Sequence, residues 1–402
     1  MNYFLPRAQI GLFLFFCLLG CSTNKDKPQK LTSLDATTQV KQVWERNTGK
    51  LNAYYHQFQL AQNDEAIFTP SLQGKVSKIN KQSGKLLWSK QLKQPLSAGV
   101  TLGSEKLYLG LMNGQLVALN SQQGDLLWST QLSSETVAPP VYEGGYLIVH
   151  VNDGSVYRLN PDTGAFVWKY ESSMPPLTLR GASKPKVFDR FVAVGFANGT
   201  MGIIDAETGQ LRWQNRVSTP KGDSEIERLV DIKAQPLISG KLLLAVGYQG
   251  QLAAYDIQSG QKKWTQKTSS YQDMLIVGDQ LIIAESDANI KAVDINSGTI
   301  SWQQDALKNR GISAVTEFDE QLLVSDMQGI VHVLSVLNGE MIGRKSVTLP
   351  PRSLVGHDKL VQIHRLMKKK PGIRVTALSD EQRFYLLADD GNLSAFRLKQ
   401  QD

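Results

Sequence analysis

The stretch that decides the fold runs from Gly114 to Trp128 and reads GQLVALN-SQQG-DLLW. Gly114–Asn120 is a short, nearly continuous apolar run, which is typical of a strand buried on both faces. Ser121–Gly124 then turns the chain, because its final glycine adopts a positive φ without strain. Asp125–Trp128 returns as an outer strand. The dipeptide Asn113-Gly114 before this stretch is a strong hairpin signal.

The same spacing of a glycine, a second glycine ten residues later and a tryptophan four after that recurs along the chain. The intact copies are Gly74-Gly84-Trp88, Gly114-Gly124-Trp128, Gly154-Gly164-Trp168, Gly199-Gly209-Trp213 and Gly250-Gly260-Trp264. The degraded copies are Ala288-Gly298-Trp302 and Gly329-Gly339-Gly343. An eighth begins at Gly391 and runs off the C-terminus, and Trp44 supplies its missing end. One repeat position thereby accounts for all seven tryptophans of the 402-residue chain.

Each period of about 40 residues has room for four short antiparallel strands, which is the description of a propeller blade. We therefore predict an all-β fold, an eight-bladed propeller. Its ring closes when Gln39–Trp44 becomes the outer strand of the blade begun by Gly391–Phe396, which leaves no unpaired end. The recurrence favours packing between blades as the role of the tryptophans over a ligand-binding aromatic row. These structural tryptophans are Trp44, Trp88, Trp128, Trp168, Trp213, Trp264 and Trp302.

The N-terminus carries an export signal. Residues 1–20 contain one basic residue, Arg7, followed by an apolar run long enough for a signal-peptide core and too short to span a bilayer comfortably. The segment ends in Leu18-Leu19-Gly20-Cys21, which resembles the lipobox of bacterial lipoproteins, with Leu19 larger than the usual small residue. The resemblance implies cleavage after Gly20 and lipidation of Cys21. A plain secretory signal with a chance cysteine is the alternative.

Three segments follow from this interpretation: a lipoprotein signal peptide over 1–20, a lipidated flexible tether over 21–38 and the propeller over 39–402. Ser22–Lys30 is polar, as expected of a tether. Cys17 and Cys21 are the two cysteines of the sequence, so the cleaved chain forms no internal disulfide. Ser22 follows the cysteine where an aspartate favours inner-membrane retention. The lipoprotein resemblance therefore implies the periplasmic face of the outer membrane.

The charge pattern and the histidines do not indicate an enzyme. The formal net charge of +7 is spread along the chain, and export excludes nucleic acid as a partner. One dense basic cluster, His364–Pro371, either meets anionic lipid headgroups or forms a solvated hairpin tip. The five histidines lack metal-ligand spacing, and no nucleophile elbow or phosphate loop is present. Asp389–Asn392 looks faintly like a calcium loop, but a turn is the better interpretation. We expect neither a metal nor a cofactor.

The repeat resembles the tryptophan-docking repeat of pyrroloquinoline-quinone (PQQ) dehydrogenases, which are also eight-bladed. Those enzymes are substantially longer, and many have a disulfide between neighbouring cysteines against the cofactor, which this chain cannot form. The resemblance therefore covers the blades and not the active site. A PQQ-dependent dehydrogenase-like propeller stays open as an alternative function, as does a propeller that binds carbohydrate or the cell wall.

Two connections are longer than the repeat requires. Successive repeat glycines are 40 residues apart up to Gly154, and the interval then lengthens to 45 residues at Gly199 and 51 at Gly250. The extra residues follow Trp168 and Trp213, at the same point of neighbouring blades, so they should emerge side by side on one rim. Long loops on a rigid scaffold are where binding residues usually lie. A third enlargement, between Gly329 and Gly391, contains the basic cluster.

Taken together, lipobox and ring resemble the BamB family of the outer-membrane β-barrel assembly machinery. Leu177–Gly181 (LTLRG) follows the family's Leu-x-Leu-Arg-Gly segment, and Glu225–Asp231 (EIERLVD) follows its Glu-Ile-(Asp/Glu)-Arg-Leu-x-Asp segment. Neither segment belongs to the generic blade. Lys233 departs from the family pattern, which has a second acidic residue there.

The resemblance implies a non-enzymatic scaffold that docks on the periplasmic POTRA domains of the central subunit, BamA. It also implies help in the delivery and insertion of barrel proteins, with unfolded outer-membrane proteins as further partners. The expected contact residues are Leu177, Leu179, Arg180 and Asp231. The alternative is that Arg180 and Asp231 pair with each other and merely order the two loops.

Overall fold

The computed structural model describes residues 27–51, 57–175, 177–178, 181–347 and 371–400. These residues form eight antiparallel sheets of four strands each, and no helix occurs among them. The predicted all-β, eight-bladed propeller is confirmed. Because the described residues contain no helix, none of them forms a helix that could cross a membrane.

We number the blades in chain order and the strands from the N-terminus. Blades 1 and 2 contain β2 (Ala61–Gln62), β3 (Ala66–Pro70), β4 (Lys75–Asn80), β5 (Leu86–Gln91), β6 (Thr101–Gly103), β7 (Lys106–Gly110), β8 (Gln115–Asn120) and β9 (Leu126–Gln131). Blades 3 and 4 contain β10 (Val141–Glu143), β11 (Tyr146–His150), β12 (Ser155–Leu159), β13 (Phe166–Glu171), β14 (Lys186–Phe188), β15 (Phe191–Gly195), β16 (Thr200–Asp205) and β17 (Leu211–Arg216). Blades 5 and 6 contain β18 (Leu237–Ser239), β19 (Leu242–Val246), β20 (Gln251–Asp256), β21 (Lys262–Lys267), β22 (Leu275–Val277), β23 (Gln280–Ala284), β24 (Ile290–Asp294) and β25 (Ile300–Gln304). Blade 7 contains β26 (Thr316–Phe318), β27 (Gln321–Ser325), β28 (Ile330–Ser335) and β29 (Met341–Ser346), and blade 8 contains β30 (Leu378–Ser379), β31 (Phe384–Leu387), β32 (Asn392–Gln400) and β1 (Thr38–Asn47).

Each blade runs from a short strand at the propeller axis to an exposed outer strand. The first strands of neighbouring blades touch, as β6 does with β2 and β10. The second and third strands are almost wholly buried, while the fourth strands are largely exposed. The core therefore lies between blades, where apolar side chains of neighbouring sheets meet, such as Leu116 of blade 2 and Val149 of blade 3.

The seven tryptophans join successive blades. Each indole N–H donates to a backbone carbonyl in the turn between the third and fourth strands of the next blade, at 2.8–3.2 Å. The acceptors are Lys81, Ser121, Pro161, Ala206, Ile257, Ile295 and Val336. The repeat glycine of that turn lies against the indole with φ between 67° and 77°, and a Cβ there would come within 2.4–3.0 Å of the ring. Glycine is required at this position by both the contact and the backbone conformation.

Blades 7 and 8 are joined differently. β1 pairs with β32 from Thr38–Gln400 to Asn47–Asn392, so the N-terminal strand is the outer strand of blade 8. Blade 8 consequently has no turn between its third and fourth strands on which a tryptophan could dock. Gly343 stands at the tryptophan position of blade 7, and a Cβ there would lie 2.6 Å from the Thr38 carbonyl oxygen. The degraded seventh repeat is thus explained by the place where the ring closes.

The described part of the segment before β1 is held against the propeller. The Gln29 amide donates to the Lys308 carbonyl at 2.9 Å, and Arg310 Nη1 donates to the Gln29 carbonyl at 2.9 Å. Arg344 donates to the Thr32 carbonyl at 3.0 Å, and Leu31 packs against a cluster of blades 6 and 7. The structure therefore differs from the expected flexible tether over this stretch, whereas Cys21 lies outside the described residues.

A buried ionic cluster fixes the arginine that holds this segment. Asp326 and His332 are fully buried, and Arg310 is 4% exposed. Asp326 Oδ2 accepts from Arg310 Nη2 at 2.6 Å and from His332 Nε2 at 3.0 Å. Burial alone would raise the pKa of Asp326, but these hydrogen bonds and charges lower it. Arg310 is thereby oriented with one nitrogen left for the Gln29 carbonyl, and this orientation was not visible in the sequence.

Candidate partner-binding rim

The connections between blades emerge on one rim. Strands alternate in direction, so the connection from a fourth strand to the next first strand lies at the same end as the hairpin between second and third strands. Residues 172–185 connect β13 to β14, and residues 217–236 connect β17 to β18. We call this end of the propeller the binding rim. The opposite end, which carries the tryptophan-glycine joints, is the joint rim.

The two enlarged connections pack against each other, as their spacing predicts. Ser183 Oγ donates to the Ala234 carbonyl at 3.2 Å, and Gln235 Nε2 donates to the Pro185 carbonyl at 2.7 Å. A Cβ on Gly181 would come within 2.6 Å of the Lys233 side chain. Gly181, the last residue of the segment that resembles Leu-x-Leu-Arg-Gly, therefore lies next to the end of the second connection.

The second connection carries a turn that is braced by its own side chains. The amides of Asp223 and Ser224 donate to Glu227 Oε2 at 2.9 and 3.0 Å, and the Glu227 amide donates to Ser224 Oγ at 3.2 Å. This Ser-x-x-Glu reciprocity is the arrangement of a capping box, here closing a single turn. Backbone hydrogen bonds from Ser224 and Asp223 lower the pKa of Glu227. The turn is consequently ordered mainly by its own side chains, and Gln249 of blade 5 adds one long hydrogen bond, from its Nε2 to the Ile226 carbonyl at 3.5 Å.

An apolar side chain stands at the tip of this braced turn. Ile226 is 72% exposed, although its neighbours Glu225 and Arg228 are charged. Leu177, on the first connection, is 45% exposed, and Met174, three residues earlier, is 38% exposed. Ile226 lies within the Glu225–Asp231 segment but is not among the contact residues that the sequence predicts. The available signal was an isoleucine inside an otherwise charged turn.

Asp231 lies beneath the rim and not on it. Its side chain is buried, and its backbone bridges Tyr248, whose amide donates to the Asp231 carbonyl at 2.8 Å. Among the described residues, its Oδ2 has no hydrogen-bond partner. Burial raises the pKa of Asp231 to about 7, against smaller lowering effects of Lys233 and the Ile232 amide. The expectation that this carboxylate contacts a partner directly does not fit its position, because the bridge turns it inwards.

Only one of the remaining predicted contact residues lies within the part of the chain that the structure describes. Leu177 is exposed on the rim as expected, while Leu179 and Arg180 lie outside the described residues. The basic cluster 364–370 also lies outside them. Within the described ranges, no three histidine, cysteine, aspartate or glutamate side chains come together as a metal site.

Comparison with known proteins identifies the family. The family model described as outer membrane protein assembly factor BamB matches residues 72–304. The outer membrane protein assembly factor BamB of Pseudomonas aeruginosa is 40% identical over 96% of this chain and 98% of that protein. The chain belongs to the BamB family. The BamB of Escherichia coli K12 is 31% identical over 84% of this chain and 90% of its own length.

Solved structures agree with the BamB assignment. The crystal structure of BamB from Moraxella catarrhalis matches 89% of this chain and 99% of that chain, with a TM-score of 0.76 and 25% identity. A europium-containing methanol dehydrogenase matches 89% of this chain with a TM-score of 0.69 but only 11% identity, which shows the shared fold alone. As a BamB family member, the chain is a non-enzymatic outer membrane protein assembly factor associated with the outer membrane.

Proposed function

We propose that this assembly factor is anchored by lipid on Cys21 at the periplasmic face of the outer membrane. We further propose that its binding rim docks on the POTRA domains of a BamA-like central subunit. The lipobox spacing supports the anchor, and family membership supports the assembly role. Docking would bring the propeller to the site of barrel insertion, where it helps to deliver unfolded outer-membrane proteins.

The observation that carries the docking site is the exposed Ile226 on its braced turn. The turn is already ordered by Ser224 and Glu227, so little conformational entropy is lost when a partner covers it. Covering an exposed apolar side chain removes its surface from water, at about 25 cal/mol per Å². Leu177, on the neighbouring connection, adds a second apolar contact.

Leu179 and Arg180 complete the proposed contact set. They follow Leu177 in sequence and precede Gly181, which lies against Lys233 on the second connection. An arginine that neighbours leucines in sequence has the composition of a hot spot, because apolar packing excludes water from a charged hydrogen bond. Asp231 takes a different role in this proposal: it supports the second connection from beneath through its bridge to Tyr248.

Affinity purification of the full-length protein from detergent-solubilised envelopes tests the docking site. Ile226→Asp and Arg180→Ala should each reduce recovery of the central subunit, by about 30-fold in affinity for a hot-spot loss of about 2 kcal/mol. Leu337→Asp is the matched control, since Leu337 is 89% exposed in a turn of the joint rim. If Ile226→Asp and Arg180→Ala both recover as much partner as Leu337→Asp, the proposed surface is wrong.

The anchor is tested separately by Cys21→Ala. Stable anchoring requires more than one acyl chain, at about 0.8 kcal/mol per buried CH₂, so the variant should leave the outer membrane and take up no labelled palmitate. Firm outer-membrane retention with palmitate uptake would contradict the lipobox interpretation.

A route for client handling is strand addition to the outer edge of a blade. The fourth strands of blades 1 to 3 end their sheets and expose apolar pairs, whereas the corresponding residues of blade 5 are lysines. The pairs are Leu86-Leu87, Leu126-Leu127 and Phe166-Val167. An extended apolar segment satisfies both the free edge and these side chains.

Site-specific photo-crosslinking tests whether clients bind at the exposed apolar pairs. A photoreactive residue at Leu126 should capture unfolded barrel proteins, whereas one at Lys263, on the outer strand of blade 5, should not. Equal capture at both positions would exclude the exposed pairs as a specific client surface.

A further inference from the structure

A cavity of about 340 Å³ lies on the propeller axis at the binding rim. Seven of the eight connections between blades contribute to its wall, which places it where the blades converge. The polar side chains in its wall include Gln59, Lys184, Lys233, Tyr271, Asp273 and Arg374, with Asp389 beside Arg374. Cavities of about 300–1,000 Å³ with a few convergent polar groups are typical of small-molecule sites.

The charges in this wall do not balance. Arg374 is paired with Asp389, which leaves Lys184 and Lys233 facing the carboxylate of Asp273 in the wall and that of Asp231, two residues from Lys233. Burial raises the pKa of Asp231 to about 7, so at neutral pH this carboxyl compensates Lys233 only in part. Asp273 Oδ1 already accepts the Gln235 amide at 2.7 Å. In the part of the chain that the structure describes, neither lysine has a carboxylate within 4.0 Å.

The two lysine amines are poorly satisfied. Lys184 Nζ donates to Gln59 Oε1 at 3.0 Å, and Lys233 makes no hydrogen bond to any described residue. Burial lowers the pKa of both side chains, which is the expected response of ammonium groups that lose water without gaining full compensation. A charged group in this state is stabilised strongly by an opposite charge that enters its cavity.

We propose that the axial cavity binds a small oxyanion, a carboxylate or a phosphate, through the amines of Lys184 and Lys233. An oxyanion supplies several acceptor oxygens to donors that lack them, and it neutralises the surplus positive charge. Gln59 and Tyr271 add neutral hydrogen-bonding groups to the same wall. The cavity volume admits inorganic phosphate or a small polycarboxylic acid.

The position of Lys233 links this site to the binding rim. Lys233 lies two residues after Asp231, and Gly181 of the other enlarged connection packs directly against its side chain. An anion held by Lys184 and Lys233 therefore bridges the two connections that carry the proposed docking residues. Oxyanion binding should order both connections, although the site itself does not depend on docking.

Isothermal titration calorimetry with the mature protein tests the proposal. The probes are inorganic phosphate and citrate, and the reference is sodium chloride at matched ionic strength. We expect saturable binding of at least one probe to the wild type. Lys184→Met and Lys233→Met should each weaken it about tenfold or more, as expected for the loss of a charged hydrogen bond. Lys263→Met, on the exposed outer strand of blade 5, should bind as the wild type does.

The titration of the wild type requires no variant to fold, so absence of saturable binding for both probes would overturn the proposal by itself. Equal weakening in Lys263→Met would also overturn it, because the effect would then reflect overall charge. As a second variant, Lys233→Glu keeps a long polar side chain and reverses its charge. Retained affinity in folded Lys233→Glu would exclude the site.

Discussion

The two rims of the propeller are built in opposite ways. The joint rim repeats one contact, an indole against a positive-φ glycine, at seven of the eight boundaries between blades. The binding rim carries connections of unequal length, and one of them carries both the exposed Ile226 and the buried Asp231. Residues that hold the ring together tolerate little variation in side chain, because every joint must form the same contact between an indole and a glycine. Sites that recognise partners are free to differ from blade to blade.

The eighth boundary shows what the repeat is for. There Gly343 replaces the tryptophan, and pairing of β1 with β32 takes over the closure. The joint rim should therefore be sensitive to substitution and the binding rim tolerant of it, and the changes below separate the two.

Deletion of residues 38–47 should have the largest effect. It removes the outer strand of blade 8 and the indole of Trp44, which donates to the Lys81 carbonyl of blade 1. An open ring exposes both the edge of β32 and the wall of blade 1, so we expect loss of cooperative thermal unfolding, measured by circular dichroism. An unchanged unfolding midpoint would mean that the ring closes without this strand.

Trp128→Ala should destabilise the propeller by about 3–5 kcal/mol, as large-to-small core substitutions do. Trp128 is the most buried of the tryptophans at 9% exposed, and its indole fills the space beside Gly164. Leu127→Ala on the same strand is the control, since Leu127 is 46% exposed and should cost about 0.5 kcal/mol or less. Urea unfolding that gives the two variants equal stability would refute the joint as a packing element.

Asp231→Asn should change how stability depends on pH. The folded-state pKa of about 7 lies above the ordinary value, so the contribution of Asp231 is fully present below about pH 4 and is lost as pH rises through 7. Between pH 5 and pH 8 the wild type should therefore lose about 3 kcal/mol that Asp231→Asn does not lose. Parallel pH profiles of the unfolding free energy would show that this carboxylate is not held protonated by burial.

Ile226→Ala should have the smallest effect on stability, about 0.5 kcal/mol or less, because the side chain makes little contact with the propeller. Its melting temperature should match that of the wild type, whereas recovery of the central subunit falls. A clear drop in melting temperature would show that Ile226 stabilises the fold. The binding rim would then be no more tolerant of substitution than the joint rim.

The sequence predicted the joint rim well because each joint depends on two residue types at fixed spacing. A glycine that must adopt a positive φ and a tryptophan fourteen residues after the first glycine leave a periodic trace, and Trp44 marked the closing strand. The binding rim leaves no such trace. Loop length pointed to the two connections, but the length of a connection does not show which of its side chains turn inwards, as Asp231 does at its bridge to Tyr248.

Taken alone, the sequence determined the class of fold, the number of blades, the way the ring closes and the family, since these follow from periodic packing and from uninterrupted motifs. Tertiary structure alone decided which polar groups are buried. The inward carboxylate of Asp231, the docking of Gln29 on Arg310 and the convergence of Lys184 and Lys233 on one cavity each depend on residues that are separated along the chain. Burial of a charge depends on everything packed around it, and residues brought together by ring closure have no fixed spacing along the chain.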